Sequence, residues 1–357
     1  MSWYDYFMRD VLWYVYPRWH TVSFSLIAKK HIEHLKRYYR LYEIDELSFH
    51  TIDVFTSPIC LIHPYFFIIT RHPQIFFNRL SKFRLIIGID VADSNRIGKH
   101  AVELCELAHA MIVPSNFARN AYITSGVRIP VHVVPHGISQ TYFRNPRIPR
   151  QSILHKLYKL KHDKGYIYTL FFLWHSDYRK GADLVYAVMK EIQKIHHNVI
   201  LIVKSGGIHP QLSQLKSYFI CKWLTEDELV DLYDLCDIYL LFSRGGGFEL
   251  NGLEALARNE IVIATKGGAW DDYLPDFLLI PPKRYVKVFP DANPITSIHC
   301  GLGPELDVEK AIDKLHSIIN NLDDYKAKVK EYWDKIKNDF TWEAVAKKIK
   351  HIIDKYT

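Results

Sequence analysis

Residues 240–265 carry the side chains and the backbone best suited to holding an anion. An apolar run ends before Ser243, and Arg244 and three glycines then lead into a helix expected to begin near Asn251. Glycines let a backbone approach a ligand closely, and a helix start offers unpaired N–H groups and a positive dipole end. Glu254, in the first turn, can accept paired hydrogen bonds from a ribose diol. A tight turn without a ligand, with a carboxylate favoured by the helix dipole, explains the same pattern equally well.

Two further loops combine glycine with basic residues. Arg179, Lys180 and Gly181 follow one apolar run and precede a helix. A diphosphate needs such charge neutralisation as well as amide donors. Lys204 ends another apolar run, and Gly206 follows it where the backbone can pass close to a base or a ribose. Solvated basic side chains and a plain turn are the alternative interpretations of these two loops.

The three loops follow short apolar runs that alternate with helical patterns. Buried runs joined by helices are typical of parallel sheets, so the sequence predicts an α/β protein with two doubly wound, Rossmann-like domains. Strands are predicted at residues 12–16, 59–62, 85–89, 111–113, 131–134, 167–174, 199–203, 219–222, 238–242, 261–265 and 277–280. Helices are predicted at residues 23–37, 97–108, 117–125, 182–196, 226–235, 252–258, 308–320, 325–338 and 342–356. Domains of this kind bind ligands at the carboxyl ends of their strands.

A basic segment with two prolines, residues 142–150, has no periodicity and is interpreted as a linker. The sequence therefore predicts an N-terminal domain at residues 1–141 and a C-terminal domain at residues 151–338. Residues 339–357 are helical and rich in lysine.

The charge, the cysteine content and the lengths of the apolar runs favour some classes of protein over others. The 357 residues include 46 Lys and Arg against 39 Asp and Glu, and the net charge of +7 fits an anionic ligand without indicating nucleic acid. Five scattered cysteines without a Cys-x-x-Cys pair argue against disulfides and zinc and favour a reducing cytosol. We find no signal peptide and no apolar run near the roughly 20 residues of a membrane span. A cytoplasmic protein is therefore expected, and attachment to a membrane surface stays open.

Short motifs stand along the chain in an informative order. They are VPSNFARN, VVPHGIS, Arg179-Lys180-Gly181, Lys204-Ser205-Gly206-Gly207, TEDELVDLYDLC, the loop and helix of residues 243–257, IVIATKGG and DFTWEAVAKKI. In this order they resemble the motifs of group 1, retaining glycosyltransferases, over about two thirds of the chain. The resemblance implies the GT-B fold, in which two Rossmann-like domains face a cleft. It also implies a C-terminal helix that crosses back to the N-terminal domain.

The resemblance implies a retaining glycosyltransferase of hexosyltransferase type that takes its sugar from a nucleotide diphosphate sugar. The C-terminal domain would hold this donor, with Lys180 on the diphosphate and Glu254 on the ribose. The loop whose backbone amides meet the sugar and phosphates comprises Phe248, Glu249, Leu250 and Asn251. The family needs no metal cofactor, and the sequence has no Asp-x-Asp pair, the metal-binding signature of the other major glycosyltransferase fold.

Two positions in the C-terminal half depart from the family pattern. The family has two glutamates separated by seven residues, and the position of the first, which contacts the sugar, is Gly246 here. Glu249 is the candidate for replacing this carboxylate. The arginine that often follows the first strand of the domain is replaced by Trp174, and Arg179 is the candidate substitute. The catalytic residues expected here are therefore Lys180, Arg179 and Glu249.

The N-terminal domain lacks a clear match to the histidine with which the family contacts the sugar. Asp93 or Asp90 is favoured for that role over His63, which is better explained as a packed histidine beside Pro64.

Two rival functions stay open at this stage. The first is a sugar-nucleotide epimerase or a DNA-modifying glucosyltransferase, since both use related two-domain folds. The second is a catalytically weak protein that keeps the fold to bind nucleotide sugars. The acceptor is also open among glycan, lipid, protein and nucleic acid, as are a peripheral membrane contact and a homodimer.

Overall fold

The computed structural model describes residues 10–20, 22–53, 55, 58–71 and 73–357. The chain divides into two compact units. The first comprises Met1–Gly137, Phe289–Gly301 and Asp339–Thr357, and the second comprises Ile138–Val288 and Leu302–Asn338. Among the described residues, each unit contains a six-stranded parallel sheet joined by helices. The prediction of two doubly wound α/β domains is therefore confirmed.

The sheet of the first unit forms from apolar runs of the kind that parallel sheets bury on both faces. Its strands are β1 (Val11–Tyr16), β2 (Arg40–Asp45), β3 (Ile59–Ile62), β4 (Leu85–Ile89), β5 (Ala110–Val113) and β6 (Val131–Val133). The helices between them are α1 (Ser23–Leu35), α2 (Tyr65–Arg71), α3 (Pro73–Leu80), α4 (Lys99–Cys105) and α5 (Asn116–Ser125). The strand order is β2-β1-β3-β4-β5-β6, and every residue of β3, β4 and β5 is buried.

The strand order of the second sheet is one that forms a crevice near the centre of the sheet. Its strands are β7 (Ile167–Leu173), β8 (Val199–Ser205), β9 (Ser217–Ile220), β10 (Ile238–Leu241), β11 (Ile261–Thr265) and β12 (Leu279–Ile280). The helices are α6 (Ser152–Lys164), α7 (Asp177–Lys180), α8 (Ala182–Ile195), α9 (Glu226–Leu235) and α10 (Leu250–Ala257). The strand order is β12-β11-β10-β7-β8-β9, so the direction of winding switches between β7 and β10. Ligands of such sheets bind outside the carboxyl ends of the strands at this switch point.

The remaining strands form a hairpin, and three further α-helices are present. They are β13 (Pro282–Lys287), β14 (Leu302–Leu306), α11 (Val308–Asn320), α12 (Leu322–Ile336) and α13 (Trp342–Asp354). Helix α13 belongs to the first unit, where Trp342, Val345 and Ile349 are buried in one cluster with Tyr14. The predicted return of the C-terminal helix is thus confirmed. In the part of the chain that the structure describes, no helix combines the length and apolar composition needed to cross a bilayer.

Residues 142–150, expected to be a linker, lie inside the second unit. Arg144 and Arg147 both form ion pairs with Asp231 of α9, and the Arg147 Nε lies 2.9 Å from its Oδ1. A basic, aperiodic segment therefore packs here because a buried carboxylate supplies the partner for its charges.

Residues 289–301, expected in the C-terminal domain, belong instead to the first unit. The carbonyl oxygens of Pro294 and Ile295 accept hydrogen bonds of 2.9 Å from the N–H groups of Lys99 and His100. These N–H groups open α4 and have no partner within their own helix. The segment thus supplies a cap that the sequence around α4 does not provide.

Candidate active site

The loops after β7 and β10 adjoin because these strands are neighbours in the second sheet. Helix α7 is a single turn that ends at Lys180, and Gly181 follows in the left-handed conformation with φ 76°. A Cβ on Gly181 would lie 2.3 Å from the carbonyl oxygen of Phe242, so no larger residue fits. The N–H of Arg244 donates to the carbonyl oxygen of Arg179 over 2.7 Å. The backbone thus fixes the basic pair beside the glycine loop.

The side chains of Arg179 and Lys180 converge on the carboxylate of Glu249. The Lys180 Nζ lies 2.8 Å from Oε1 and 2.5 Å from Oε2, and the Arg179 Nη1 lies 3.6 Å from Oε1. Arg179 also donates to the carbonyl oxygen of Gly245 over 2.9 Å. A buried carboxylate requires such pairing to stay charged. Three residues predicted from the sequence are therefore in contact, and Glu249 stands where an anion would meet two cations.

Glu249 and Gly246 fit each other sterically. A Cβ on Gly246 would lie 2.2 Å from the Oε1 of Glu249, so the carboxylate fills the space that a side chain at position 246 would need. The backbone of Glu249 is left-handed, with φ 62° and ψ 64°, which costs a residue other than glycine on the order of 1 kcal/mol. The hydroxyl of Tyr273 donates to the carbonyl oxygen of Glu249 over 2.8 Å and helps to hold this backbone.

Helix α10 begins at Leu250, directly after the glycine loop. The side chain of Phe248 is buried and its ring packs 5.3 Å from that of Tyr273. The Nδ2 of Asn251 donates to the hydroxyl of Tyr233 over 3.2 Å. Phe248 therefore anchors the loop through its side chain, so any ligand contact that it makes would come from its backbone.

Glu254 lies among tyrosine hydroxyls. Tyr233 donates to its Oε2 over 2.8 Å, and Tyr142 also donates to the carboxylate. Burial raises the pKa of Glu254 to about 7, against the opposing effect of these two hydrogen bonds. Two ionised oxygens have about four acceptor sites, so the carboxylate can still accept bonds from a diol. Sequence reasoning missed both tyrosines, since one lay in the supposed linker and the other in a periodic helix.

Lys204 and Gly206 lie on the other side of β7. Lys204 is the penultimate residue of β8, and its Nζ lies 4.9 Å from the centre of a ring of Trp174, the residue after β7. A Cβ on Gly206 would meet only the carbonyl oxygen of Trp174, at 3.9 Å, so sterics do not require glycine there. Both predicted residues therefore lie at the sheet edge that carries Lys180.

The candidates of the first unit have other partners. Asp90 is buried, which raises its pKa to about 7, and it accepts a 2.8 Å hydrogen bond from the N–H of Phe66 at the start of α2. It therefore serves as a helix cap. Asp93 is half-buried, and its N–H lies 3.4 Å from the Nδ1 of His299. His63 is buried, and burial lowers its pKa to about 3. The remaining predicted site residues all belong to the second unit.

The second unit thus offers a cationic pair, a helix start and a carboxylate suited to a diol, the features of a site for a nucleoside diphosphate. Over the described ranges, no group of three or more His, Cys, Asp or Glu side chains is arranged to hold a metal ion.

Comparisons with known sequences agree on one family. A family model described as group 1 glycosyl transferases matches residues 168–292. The chain is 37% identical, over 359 residues, to the uncharacterized protein 356 of Sulfolobus islandicus rod-shaped virus 1, covering 98% of this chain and 100% of that protein. It is 29% identical, over 259 residues, to "Putative glycosyltransferase 45" of Sulfolobus islandicus filamentous virus (isolate Iceland/Hveragerdi), covering 70% and 67%.

Two solved structures share the fold. Sucrose-phosphate synthase from Thermosynechococcus elongatus superimposes with a TM-score of 0.71 at 14% identity, covering 97% of this chain and 99% of that one. The E. coli trehalose-6-phosphate structure bound with UDP-2-fluoro glucose gives a TM-score of 0.66 at 11% identity, with the same coverages of 97% and 99%. Identities this low establish the architecture and leave the chemistry to the site itself.

Proposed function

Because this chain belongs to the group 1 glycosyltransferases and has the GT-B fold, we propose that it transfers a hexose from a nucleotide diphosphate sugar to an acceptor. The proposal includes retention of the anomeric configuration and independence of metal ions. The observation that carries it is the convergence of Arg179 and Lys180 on the carboxylate of Glu249 at the glycine loop. The UDP-2-fluoro glucose bound in the E. coli structure supports a nucleotide sugar as the donor.

Donor binding begins with an exchange of anions. The diphosphate takes the place of Glu249 beside Lys180 and Arg179 and receives further hydrogen bonds from the N–H groups that open α10. Glu254 accepts hydrogen bonds from the ribose hydroxyls while Tyr233 and Tyr142 hold it in place. The exchange keeps Lys180 and Arg179 paired with an anion at every stage.

Sugar transfer then depends on charge stabilisation. The bond between the anomeric carbon and the diphosphate breaks, and negative charge develops on the leaving phosphate beside Lys180 and Arg179. The acceptor oxygen forms the new bond to the same face of the sugar, and its proton passes to the departing phosphate oxygen. The nucleoside diphosphate and the glycosylated acceptor are the products.

Glu249, once released from Lys180, can orient the hydroxyls of the sugar while its ring acquires oxocarbenium character. In this way its carboxylate takes over the task that the family gives to a glutamate at the position of Gly246. A sugar contact by Asp93 stays a prediction.

The test is the release of free nucleoside diphosphate from a panel of UDP-, GDP-, dTDP-, CDP- and ADP-sugars, with and without a mixture of acceptors. Release that depends on an acceptor, with a product of unchanged anomeric configuration, supports the proposal. An altered sugar still attached to its nucleotide would instead identify an epimerase. Tight binding of donors without any turnover would identify a binding protein and contradict the proposed enzyme.

The cytoplasmic location, the peripheral membrane contact and the homodimer stay predictions, as does an acceptor from among glycans, lipids, proteins and nucleic acids.

A further inference from the structure

Two tryptophans and a lysine form a group at the carboxyl edge of β7, β8 and β9, which we name the tryptophan–lysine cluster (Trp174, Lys204 and Trp223). Lys204 pairs with Phe172 of β7 on one side and with Ile220 of β9 on the other. Trp174 directly follows β7, and Trp223 is the third residue after β9. Three adjacent strands therefore deliver the cluster to the edge that also carries Lys180.

Lys204 is unusual in its surroundings. It is 6% exposed, and among the described residues it has no carboxylate partner, only the ring of Trp174. Burial lowers its pKa. An ammonium with so little access to water, and with no carboxylate beside it, is stabilised by a ligand that supplies hydrogen-bond acceptors.

The two tryptophans are exposed where large apolar rings are normally covered. Trp174 is 53% exposed and Trp223 is 57% exposed, and their rings meet edge to face at 5.8 Å and 84°. A Cβ on Gly207, in the loop after β8, would meet no atom within 4 Å, so there is open space beside the cluster. Exposed indole faces of this kind stack on flat rings such as those of nucleobases.

The tryptophan–lysine cluster lies at a suitable distance for the base of a nucleotide whose diphosphate is bound at Lys180. Neighbouring strands are about 4.8 Å apart, so β9 lies roughly 10 Å from β7, about the length of a nucleoside. The chain continues from Trp223 into α9, whose first-turn residue Glu226 is near enough to raise the pKa of Glu254. The candidate ribose ligand and the loop of Trp223 are therefore close to each other.

An ammonium group donates three hydrogen bonds and accepts none. At C4 of a pyrimidine or C6 of a purine, uracil, thymine and guanine carry a keto oxygen, whereas cytosine and adenine carry an amino group, which only donates. We propose that the tryptophan–lysine cluster binds the nucleobase of the donor and selects keto bases over amino bases through Lys204. This inference rests on the proposed function and specifies its class of donor.

The experiment compares matched pairs of nucleotides by titration calorimetry and by quenching of tryptophan fluorescence. UDP and CDP differ at the exocyclic group of a pyrimidine, and GDP and ADP make the corresponding purine comparison. We expect UDP to bind about 10-fold or more tightly than CDP, because the amino group of cytosine leaves Lys204 without its acceptor.

Two variants assign the selectivity to Lys204. Lys204→Met keeps the apolar stem and removes the donors, so the ratio of UDP to CDP affinity falls towards one while Lys180 still holds the diphosphate. Lys204→Gln, which can both donate and accept, gives the same loss of selectivity and covers the case in which the methionine variant does not fold. Lys194→Met, on the exposed surface of α8, is the matched control and leaves the ratio unchanged.

The outcomes separate the two proposals. Equal affinity for UDP and CDP and for GDP and ADP overturns the base selectivity and leaves the proposed transferase intact. A preference for UDP that survives in a folded Lys204 variant overturns the role of Lys204. If no nucleoside diphosphate binds the wild-type protein and no fluorescence is quenched, the proposed function fails and the inference fails with it.

Discussion

Each unit contains a cluster of ionisable side chains near its strand ends, and the two clusters differ in charge. In the first unit, His31, His63 and His136 are buried around Tyr14 and Trp342. The Nδ1 of His31 lies 2.8 Å from the hydroxyl of Tyr14, and the rings of His31 and His63 stack at 5.9 Å. Burial lowers the pKa of His63 and of His136 to about 3, so both are neutral near pH 7.

The candidate site of the second unit contains charged side chains instead. Lys180 and Arg179 are paired with Glu249, and Lys204 has no acidic partner in the part of the chain that is described. A core that only packs removes charge from its buried groups, because desolvation penalises the ionised form. Cations stabilise a bound anionic ligand, and a carboxylate of the protein can pair with them before the ligand binds. The contrast distinguishes a structural cluster from a binding site more clearly than residue type does.

The largest expected effect comes from removing the positive charge of Lys180. Lys180→Ala should lower the rate of sugar transfer by about 10²- to 10³-fold, because a donor that stabilises the leaving phosphate is lost. Lys194→Ala, an exposed lysine of the same unit, should leave the rate unchanged. Steady-state release of the nucleoside diphosphate measures both, and full activity of Lys180→Ala would refute the assignment.

The next effect concerns the fit between Gly246 and Glu249. Gly246→Ala places a methyl group 2.2 Å from the present position of the Glu249 Oε1, so the carboxylate must move. We expect a fall in kcat of up to about 10²-fold, the scale of a misplaced reacting geometry.

A double exchange sharpens this test. Gly246→Glu combined with Glu249→Gly moves the carboxylate to the position of the first family glutamate and should recover part of the activity lost in Glu249→Gly alone. Wild-type activity of the single variant Glu249→Gly would contradict any role of this carboxylate in the reaction.

A third prediction concerns acid stability in the first unit. Since the pKa values of His63 and His136 are lower in the folded state than in the unfolded chain, the unfolded state binds more protons between about pH 6.5 and pH 3. Stability is therefore complete above this window and falls as the pH drops through it, by on the order of 1 kcal/mol per pH unit for each ring.

Chemical denaturation at several pH values checks this slope. His136→Gln should flatten it, whereas His351→Gln, at an exposed position of α13, should not. The raised pKa of Asp90 acts in the opposite sense, so the difference between variant and wild type is the informative quantity. Parallel slopes in all three proteins would show that the buried imidazoles are not the cause.

The smallest effect concerns Glu254. Its pKa is raised to about 7, and hydrogen bonds from a ribose favour the ionised form. The affinity for a UDP-sugar should therefore weaken as the pH falls below about 7, by a factor approaching 10 per pH unit. Glu254→Gln should bind more weakly and lose this dependence. If the variant kept the same pH profile, the titrating group would lie elsewhere.

Much of the architecture could be predicted because continuous apolar runs identify buried parallel strands. The edge strand β2 was missed, since its sequence RLYEID is charged and only partly buried. The hairpin of β13 and β14 was missed for a similar reason, as β13 is largely exposed and carries Lys283 and Arg284. Elements at the margins of a sheet leave weak patterns because water covers one of their faces.

The residues of the candidate site also differ in whether the sequence could predict them. Lys180, Glu249 and Glu254 could be singled out because glycine loops and helix starts surround them in the sequence. Their partners could not, because Tyr142 and Tyr233 reach Glu254 from a segment and a helix that are distant in sequence. Nor does spacing reveal that Gly246 leaves room for the carboxylate of Glu249, which depends on a left-handed backbone.

Helix α13 completes an apolar cluster of the first unit, and this affects how the chain folds during translation. Residues 1–137 are synthesised before the second unit, yet Trp342, Val345 and Ile349, which complete one of their apolar clusters, are synthesised after it. Every residue of the second unit has been synthesised by Asn338. The second unit can thus fold before the first, whose apolar surface stays uncovered until α13 has been synthesised.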